Sequence, residues 1–266
     1  MTATTLECPV CKGTDFAPMY ALGNEGEYRY HRCKRCKLVV YDMENGLDQA
    51  KYAVHWADPR EENPAFAKVD QTYEFIVRAG LPVGRLLDIG AGSGRILARA
   101  QRDGWDVVGI ELSESLAEQT TAALGAPVHA MNFLDGDIEP LGKFDLVVLA
   151  HVLEHLPDPV LAMDRIGSLL EDGGHAIFEF PNIDALDLRL KRVLSATGIH
   201  RKRYPDGWQP GHCQEFCRES FAFLADRTGF EMVHWETYSS KPAKSGLYRA
   251  LGVGSKARVL VRRRPR

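Results

Sequence analysis

The sequence predicts an α/β fold: a seven-stranded, mostly parallel sheet with helices on both faces, preceded by a small cysteine-based ribbon. Three observations carry that reading. From residue 85 onward, short apolar runs alternate with amphipathic helical patterns, the order that builds a parallel sheet covered on both sides. The first of those runs ends in a glycine-rich turn that opens a helix. Ahead of it stand two Cys-x-x-Cys pairs in a segment of different character.

Composition sets the outer bounds. The 266 residues are 45% hydrophobic and 26% charged, ordinary for a globular chain and far from a disordered or fibrous one. No apolar run approaches the roughly 18 residues of a membrane-spanning helix, so no membrane partner is expected. The start, MTATTLECPVC, has neither the basic nor the apolar stretch of a secretory signal, so a cytoplasmic location is expected. A net charge of −3 gives no global reason to expect nucleic-acid binding.

Residues 1–42 read as a zinc ribbon. Cys8-Pro9-Val10-Cys11 and Cys33-Lys34-Arg35-Cys36 are separated by 21 residues, and each pair can form a knuckle whose thiolates converge on a tetrahedral ion. Gly13 is expected to supply the permissive backbone of the first knuckle. With all four corners taken by sulfur, the zinc would be structural. Residues 43–84 read as a linker, punctuated by Pro59 and Pro64, followed by a helix with Phe66, Val69, Tyr73, Phe75, Ile76 and Val77 on its apolar face.

Residues 85–266 form the α/β unit. Its expected strands are Arg85–Ile89, Val107–Leu112, Val128–Met131, Phe144–Leu149, Ala176–Phe180, Phe230–Tyr238 and Lys256–Val261. Helices are expected near 95–103, 114–124, 159–170 and 217–228, with an insertion at 182–215 that could serve as a lid.

The stretch Arg85-Leu-Leu-Asp-Ile-Gly-Ala-Gly-Ser-Gly-Arg95 is the most informative. Asp88 ends the strand, and Gly90, Gly92 and Gly94 let backbone approach a ligand at a helix start, as in Rossmann-like crevices. The spacing is GxGxG, with Arg95 where a dinucleotide-binding turn would carry its last glycine. Glu111 ends the second strand, where a carboxylate can hold both hydroxyls of a ribose. The fourth strand runs into His151-Val-Leu-Glu-His-Leu-Pro-Asp-Pro159.

With these motifs in this order, residues 70–265 resemble the class I S-adenosylmethionine (SAM)-dependent methyltransferases. LLDIGAGSG, VVGIE and FDLVVLAHVLEHLPDP look like the branch with ubiquinone-biosynthesis O-methyltransferases and natural-product and sugar methyltransferases. A ribbon ahead of such a domain is similar to the sugar C-methyltransferases. The resemblance implies that Gly90, Ala91 and Gly92 pack on the amino-acid part of SAM, with Asp88 supporting the turn. It implies that Glu111 holds the ribose, that Asn132 and Phe133 lie at the adenine, and that Ala150 and His151 lie beside the sulfonium.

Methyl transfer from a sulfonium needs alignment, and a hydroxyl acceptor is helped by a base. His155, His151 and His212 are the candidates, His155 first, with Glu154 placed to orient an imidazole. His151-x-x-Glu154-His155 also has the spacing of inverted zinc proteases, but that motif needs a long helix rather than a strand end. His212, Cys213 and Cys217 read as a histidine near small buried thiols. The insertion carries Arg189, Lys191, Arg192, His200, Arg201, Lys202 and Arg203, a basic set that would favour an anionic small molecule such as a nucleotide-sugar or a phosphorylated or carboxylated metabolite. The expected function is O-methylation of a small molecule or sugar. Sugar C-methylation, RNA methylation and a non-catalytic zinc-dependent scaffold stay open as alternatives.

Overall fold

The computed structural model describes residues 6–49, 56–196, 203–239, 248 and 251–265. His200, Arg201 and Lys202 of the basic insertion, and Arg266 of the basic tail, lie outside the described residues. In chain order the strands and helices are β1 (Phe16–Leu22), β2 (Tyr28–Cys33), β3 (Val39–Tyr41), α1 (Ala67–Ala79), β4 (Arg85–Ile89), α2 (Arg95–Arg102), β5 (Asp106–Glu111) and α3 (Glu114–Leu124). They continue as β6 (Val128–Ala130), β7 (Phe144–Ala150), α4 (Pro159–Leu169), β8 (Leu170–Pro181), α5 (Leu186–Ala196), β9 (Gln214–Glu215), α6 (Arg218–Arg227), β10 (Phe230–Tyr238) and β11 (Lys256–Arg263).

The large sheet has seven strands in the order β10-β11-β8-β7-β4-β5-β6. The strands from β6 to β8 are parallel, and β11 runs antiparallel between β8 and β10. Strand order reverses between β4 and β7, and a crevice opens at the carboxyl ends of strands at such a switch point. Alternation along β7 feeds both faces. Phe144, Val147 and Leu149 join Phe178, Phe180 and Phe221 on one side, while Leu146 and Val148 join Phe75, Ile76, Ile96 and Leu97 on the other.

Local chemistry sets the element ends. Ser113 caps α3 by accepting from the Leu116 amide at 3.4 Å, and Asp158 caps α4 from the Leu161 amide at 2.9 Å, with Pro159 at the first helical position. The expected apolar face of α1 needs two corrections: Phe66, though buried, lies in a 3-10 turn (Pro64–Phe66) ahead of the helix, and Val77 is 57% exposed. It lies about 100° around the helix from Ile76, beyond the stripe of Tyr73 and Ile76. β8 starts earlier than the expected Ala176: Leu170 already pairs with Phe144, and after a register shift the pairing resumes at Leu146 with His175.

The second sheet has the order β1-β2-β3-β9. Its fourth strand comes from the insertion, so the ribbon and the insertion share backbone hydrogen bonds. The Tyr41 amide donates to Cys213 O at 3.0 Å, and the Asp48 amide to Pro210 O at 2.9 Å. Tyr30 lies between Tyr20 and Tyr41, with ring centroids at 4.6 and 5.2 Å. Its hydroxyl donates to His212 O at 3.2 Å. The insertion's Asp184 accepts from Arg32 of β2 at 2.6 Å and lies 3.6 Å from Arg189, while Arg192 donates to Ile183 O at 3.0 Å. Thus Arg189 and Arg192 are engaged beside the ribbon sheet.

Phe221, fully buried on α6, meets Phe178, Phe180, Phe216 and Trp235. Phe221→Ala is expected to destabilise the fold by about 3–5 kcal/mol, measured by urea denaturation.

Candidate cofactor and catalytic site

The glycine turn after β4 is shaped to admit a ligand against its backbone. Gly90 and Gly92 have φ of 77° and 54°, values that strain residues bearing a side chain. A Cβ on Gly90 would lie 2.5 Å from Val152 Cγ2, so the loop after β7 packs directly on this turn. The Gly90 and Ala91 amides donate to Ile110 O at 2.8 and 3.0 Å. The Glu111 carboxylate stands beside them, accepting from the Gly92 amide at 2.8 Å and the Ser113 amide at 2.9 Å.

Asp88 is 2% exposed, and its Oδ1 has no hydrogen-bond partner among the described residues. Burial, then the nearby Glu111 charge, push its carboxyl up to about 7. Arg95, where a dinucleotide turn would carry glycine, is 2% exposed and ties the preceding segment down. It binds Asp70 at 2.7 Å and the carbonyls of Pro59 and Glu61 at 2.8 and 3.0 Å. At the far end of the crevice, exposed Asn132 forms a local turn: its Oδ1 accepts from the Leu134 amide at 2.9 Å, and its Nδ2 donates to Asp135 at 2.8 Å. Phe133 is 4% exposed, packed in the core beneath the Arg165 guanidinium.

His151 follows half-buried Ala150 at the end of β7 and has φ of 58°, a left-handed conformation that a non-glycine residue keeps only when its surroundings impose it. Both of its ring nitrogens are engaged. Nδ1 lies 3.0 Å from Glu154 Oε1, and Nε2 lies 3.0 Å from Glu179 Oε1 and 2.5 Å from Lys256 Nζ. Burial opposes protonation of the imidazole, but the bonds to Glu154 and Glu179 outweigh it and raise His151 to about 9. Burial also lowers the Lys256 ammonium, and at 2.5 Å only one proton fits on the line between the two nitrogens.

Glu179 is the hub of this cluster. It accepts from Thr72 and Tyr238 at 2.5 Å each, from Arg258 at 2.8 Å and from Lys256 at 3.4 Å. Burial opposes its charge, yet the hydrogen bond with His151 and the charges of Arg258, His151 and Lys256 hold it well below the usual carboxylate range. Sequence reasoning missed Glu179, Lys256, Arg258 and Tyr238. One signal was available: Glu179 interrupts the apolar run Ala176–Phe180, and Arg258 interrupts a second one, directly opposite in the β8–β11 register.

His155 and His212 form a second group. Their rings meet edge-on at 4.8 Å, and atoms of Glu154, His155 and His212 lie within 4.8 Å of one another. His155 Nδ1 lies 2.7 Å from Gly211 O. A carbonyl only accepts, so the neutral ring carries its proton on Nδ1 and its lone pair on Nε2. Burial lowers the His155 pKa below the ordinary histidine value, against the pull of Glu154. His212 Nδ1 lies 3.5 Å from Glu215 Oε1. Cys213 and Cys217 are buried thiols, Cys213 bonding to His155 O at 3.3 Å.

Remote from the crevice, Cys8, Cys11, Cys33 and Cys36 bring four buried sulfurs within 4.8 Å of one another. Two of the Sγ···Sγ distances are 3.4 Å, near the about 3.8 Å edge of a tetrahedron with 2.3 Å Zn–S bonds. The two knuckles repeat one geometry. The Lys12 amide donates to Cys8 O at 2.9 Å and the Lys37 amide to Cys33 O at 3.0 Å, and both lysines have positive φ, 59° and 66°. The left-handed residue is therefore Lys12 rather than Gly13. Gly13 matters for space instead, since a Cβ there would lie 3.2 Å from Cys11 Sγ.

The comparisons with known proteins agree with this architecture. Residues 60–235 match the model of a methyltransferase domain family. The ubiquinone biosynthesis O-methyltransferase of Xanthomonas campestris pv. campestris is 31% identical over 170 residues, covering 59% of this chain and 70% of that one. The enzyme of the same name from Alkalilimnicola ehrlichii is 29% identical over 141 residues, 49% of this chain and 56% of that one. The chain thus spans about half the length of the first curated relatives it matches. Among solved structures, an S-adenosylmethionine-dependent methyltransferase from Mesorhizobium loti superposes with a TM-score of 0.55 at 22% identity, over 73% of this chain and all of that one. The fold and the glycine-turn crevice define the class I SAM-dependent methyltransferases. This chain belongs to their methyltransferase domain family.

Asp88 makes the site measurable through pH. Its folded-state pKa lies above the ordinary aspartate value of 3.8, so its share of stability is present at low pH and lost as pH rises through about 7. Asp88→Asn removes that loss. The stability gap between variant and wild type should widen by up to about 4 kcal/mol between pH 4 and 7, read from denaturation at each pH.

Proposed function

We propose that this protein is a SAM-dependent O-methyltransferase acting on a small molecule, with its four-cysteine unit holding a structural zinc ion. The observation that carries the reading is the convergence, at one switch-point crevice, of the glycine turn, the orphaned Asp88 oxygen, the Glu111 carboxylate and a cluster of histidines. Those groups fit SAM: backbone open to close approach, a buried carboxyl short of a donor, and a strand-end acid for a diol. When bound there, SAM supplies an electrophilic methyl group on a sulfonium.

The chain's own residues do the remainder. Gly90, Ala91 and Gly92 would receive the amino-acid part, and Glu111 the ribose, exchanging its hold on the Gly92 amide for the hydroxyls. Asn132 keeps a second acceptor lone pair on its carbonyl for the adenine end, with Phe133 beneath it, and Ala150 and His151 line the sulfur end. His155 is the base this geometry favours for an acceptor hydroxyl. It is neutral near pH 7, its lone pair is on Nε2, and Gly211 O orients it. His212 supports the same wall. His151 suits the role less because its ring nitrogens are already committed.

Incubation with isotopically labelled SAM and pools of phenolic and nucleotide-sugar acceptors should yield a labelled product by mass spectrometry; label appearing on carbon would instead favour the sugar C-methyltransferase reading. Glu111→Ala should stay folded and lose SAM affinity by ten-fold or more, having given up hydrogen bonds worth about 1.5–3 kcal/mol each. With an acceptor in hand, His155→Ala should lower turnover by about 10²–10⁴. The wild-type rate should rise with pH through a pKa below the ordinary histidine value of 6.5. Metal analysis should find one zinc per chain, absent after Cys33→Ser; zinc-free wild-type protein would refute that assignment.

A further inference from the structure

The contact between Lys256 and His151 has a chemical consequence that the methyl-transfer step leaves unused. At 2.5 Å between Nζ and Nε2 there is room for one proton, so in this arrangement one of the two nitrogens carries a lone pair. A second arrangement is built into the same cluster. Glu179 Oε1 lies 3.0 Å from Nε2 and 3.4 Å from Nζ, and a doubly protonated pair can separate and donate both N–H groups to that oxygen. The pair therefore has two charge states, each with hydrogen bonds in place.

We propose that the His151–Lys256 pair follows the charge on the cofactor's sulfur, holding one proton beside a sulfonium and taking up a second beside the neutral thioether of S-adenosylhomocysteine (SAH). This rests on the reading of the crevice as a SAM site, with His151 at its sulfur end. Lys256 is then a residue that sets the discrimination between cofactor and spent cofactor. His151 is 36% exposed on its side chain and Lys256 19%, so the pair borders the crevice while its carboxylates are sealed behind it. The groups facing the pair are Glu154 from the 153–155 turn, Glu179 from β8, Arg258 beside Lys256 on β11, Tyr238 from β10 and Lys68 from α1. His155 and His212 lie beyond Glu154. Glu154 and Glu179 balance the doubly protonated pair, and Arg258 keeps Glu179 ionised throughout. Electrostatic repulsion between a sulfonium and a doubly charged pair makes the second proton unfavourable only while the methyl group is still on sulfur.

The test uses the full chain with SAM and SAH themselves, so no acceptor is needed. Both ligands carry the same amino acid, ribose and adenine, so protonation changes at Asp88 or Glu111 cancel in the comparison. Calorimetric titrations from pH 6.5 to 9.5 should show the ratio of SAM to SAH dissociation constants rising as pH falls, by ten-fold or more in total. Repeating them in buffers of different ionisation heat should show more protons taken up with SAH than with SAM. In Lys256→Met, His151 keeps its single charge under two carboxylates, and the ratio should stay within two-fold across the range. A pH-independent ratio in the wild type overturns the proposal, and that result needs no variant. A wild-type trend that persists in Lys256→Met overturns the role of Lys256. Failure of the wild type to bind either ligand overturns the SAM-site reading itself, a distinguishable outcome.

Discussion

One buried carboxylate organises the end of the crevice beside His151. Glu179 receives hydrogen bonds from α1, β10 and β11, and it faces His151 from the loop after β7. A buried charge is tolerated only when its lone pairs are filled, and here the donors come from parts of the chain as far apart as Thr72 and Arg258. The constraint works in both directions. Glu179 stays anionic because those elements meet there, and they are held in register because each has a donor committed to it. His151 takes its left-handed backbone within that frame, with its own amide donating to Glu179 O at 2.7 Å.

The ribbon bears on the same region from the other side. Its cysteines belong to one continuous core with Leu224, Phe221 and Phe178, and the Arg227 side chain of α6 donates to the Val10 carbonyl of the first knuckle. Strand β3 pairs with β9, and Gln49 donates to His155 O at 2.7 Å. The path from the four sulfurs to the His155–His212 group thus runs through backbone hydrogen bonds and a stack of tyrosines. A metal bound there would help keep the wall that carries His155 and His212 in place.

What was legible in the sequence is what local spacing can carry. The Cys-x-x-Cys pairs, the glycine turn, Glu111 at a strand end and the alternation of runs and helices are all short-range signals, and the seven-stranded sheet follows from them. The cluster around Glu179 is of another kind. Glu179 and Arg258 meet only because β11 inserts antiparallel between β8 and β10, a pairing across residues far apart in the chain. Strand β9, two residues long, has too little sequence to declare itself. Gly13 and Lys12 show the same limit at small scale, since composition suggested the glycine for the left-handed position and the knuckle's hydrogen bonds placed it one residue earlier.

The composite nature of the small sheet bears on how such proteins can be recombined. A crossover placed at residue 42, the ribbon's boundary in the linear sequence, would separate β1, β2 and β3 from the strand that completes their sheet and from Trp208, whose carbonyl accepts from Tyr28 at 2.5 Å. The exchangeable unit is discontinuous: the N-terminal segment together with the stretch from Tyr204 to Cys217. Chimaeras between relatives should keep or replace the two pieces as a pair, so that each ribbon keeps the strand and the contacts that complete its sheet.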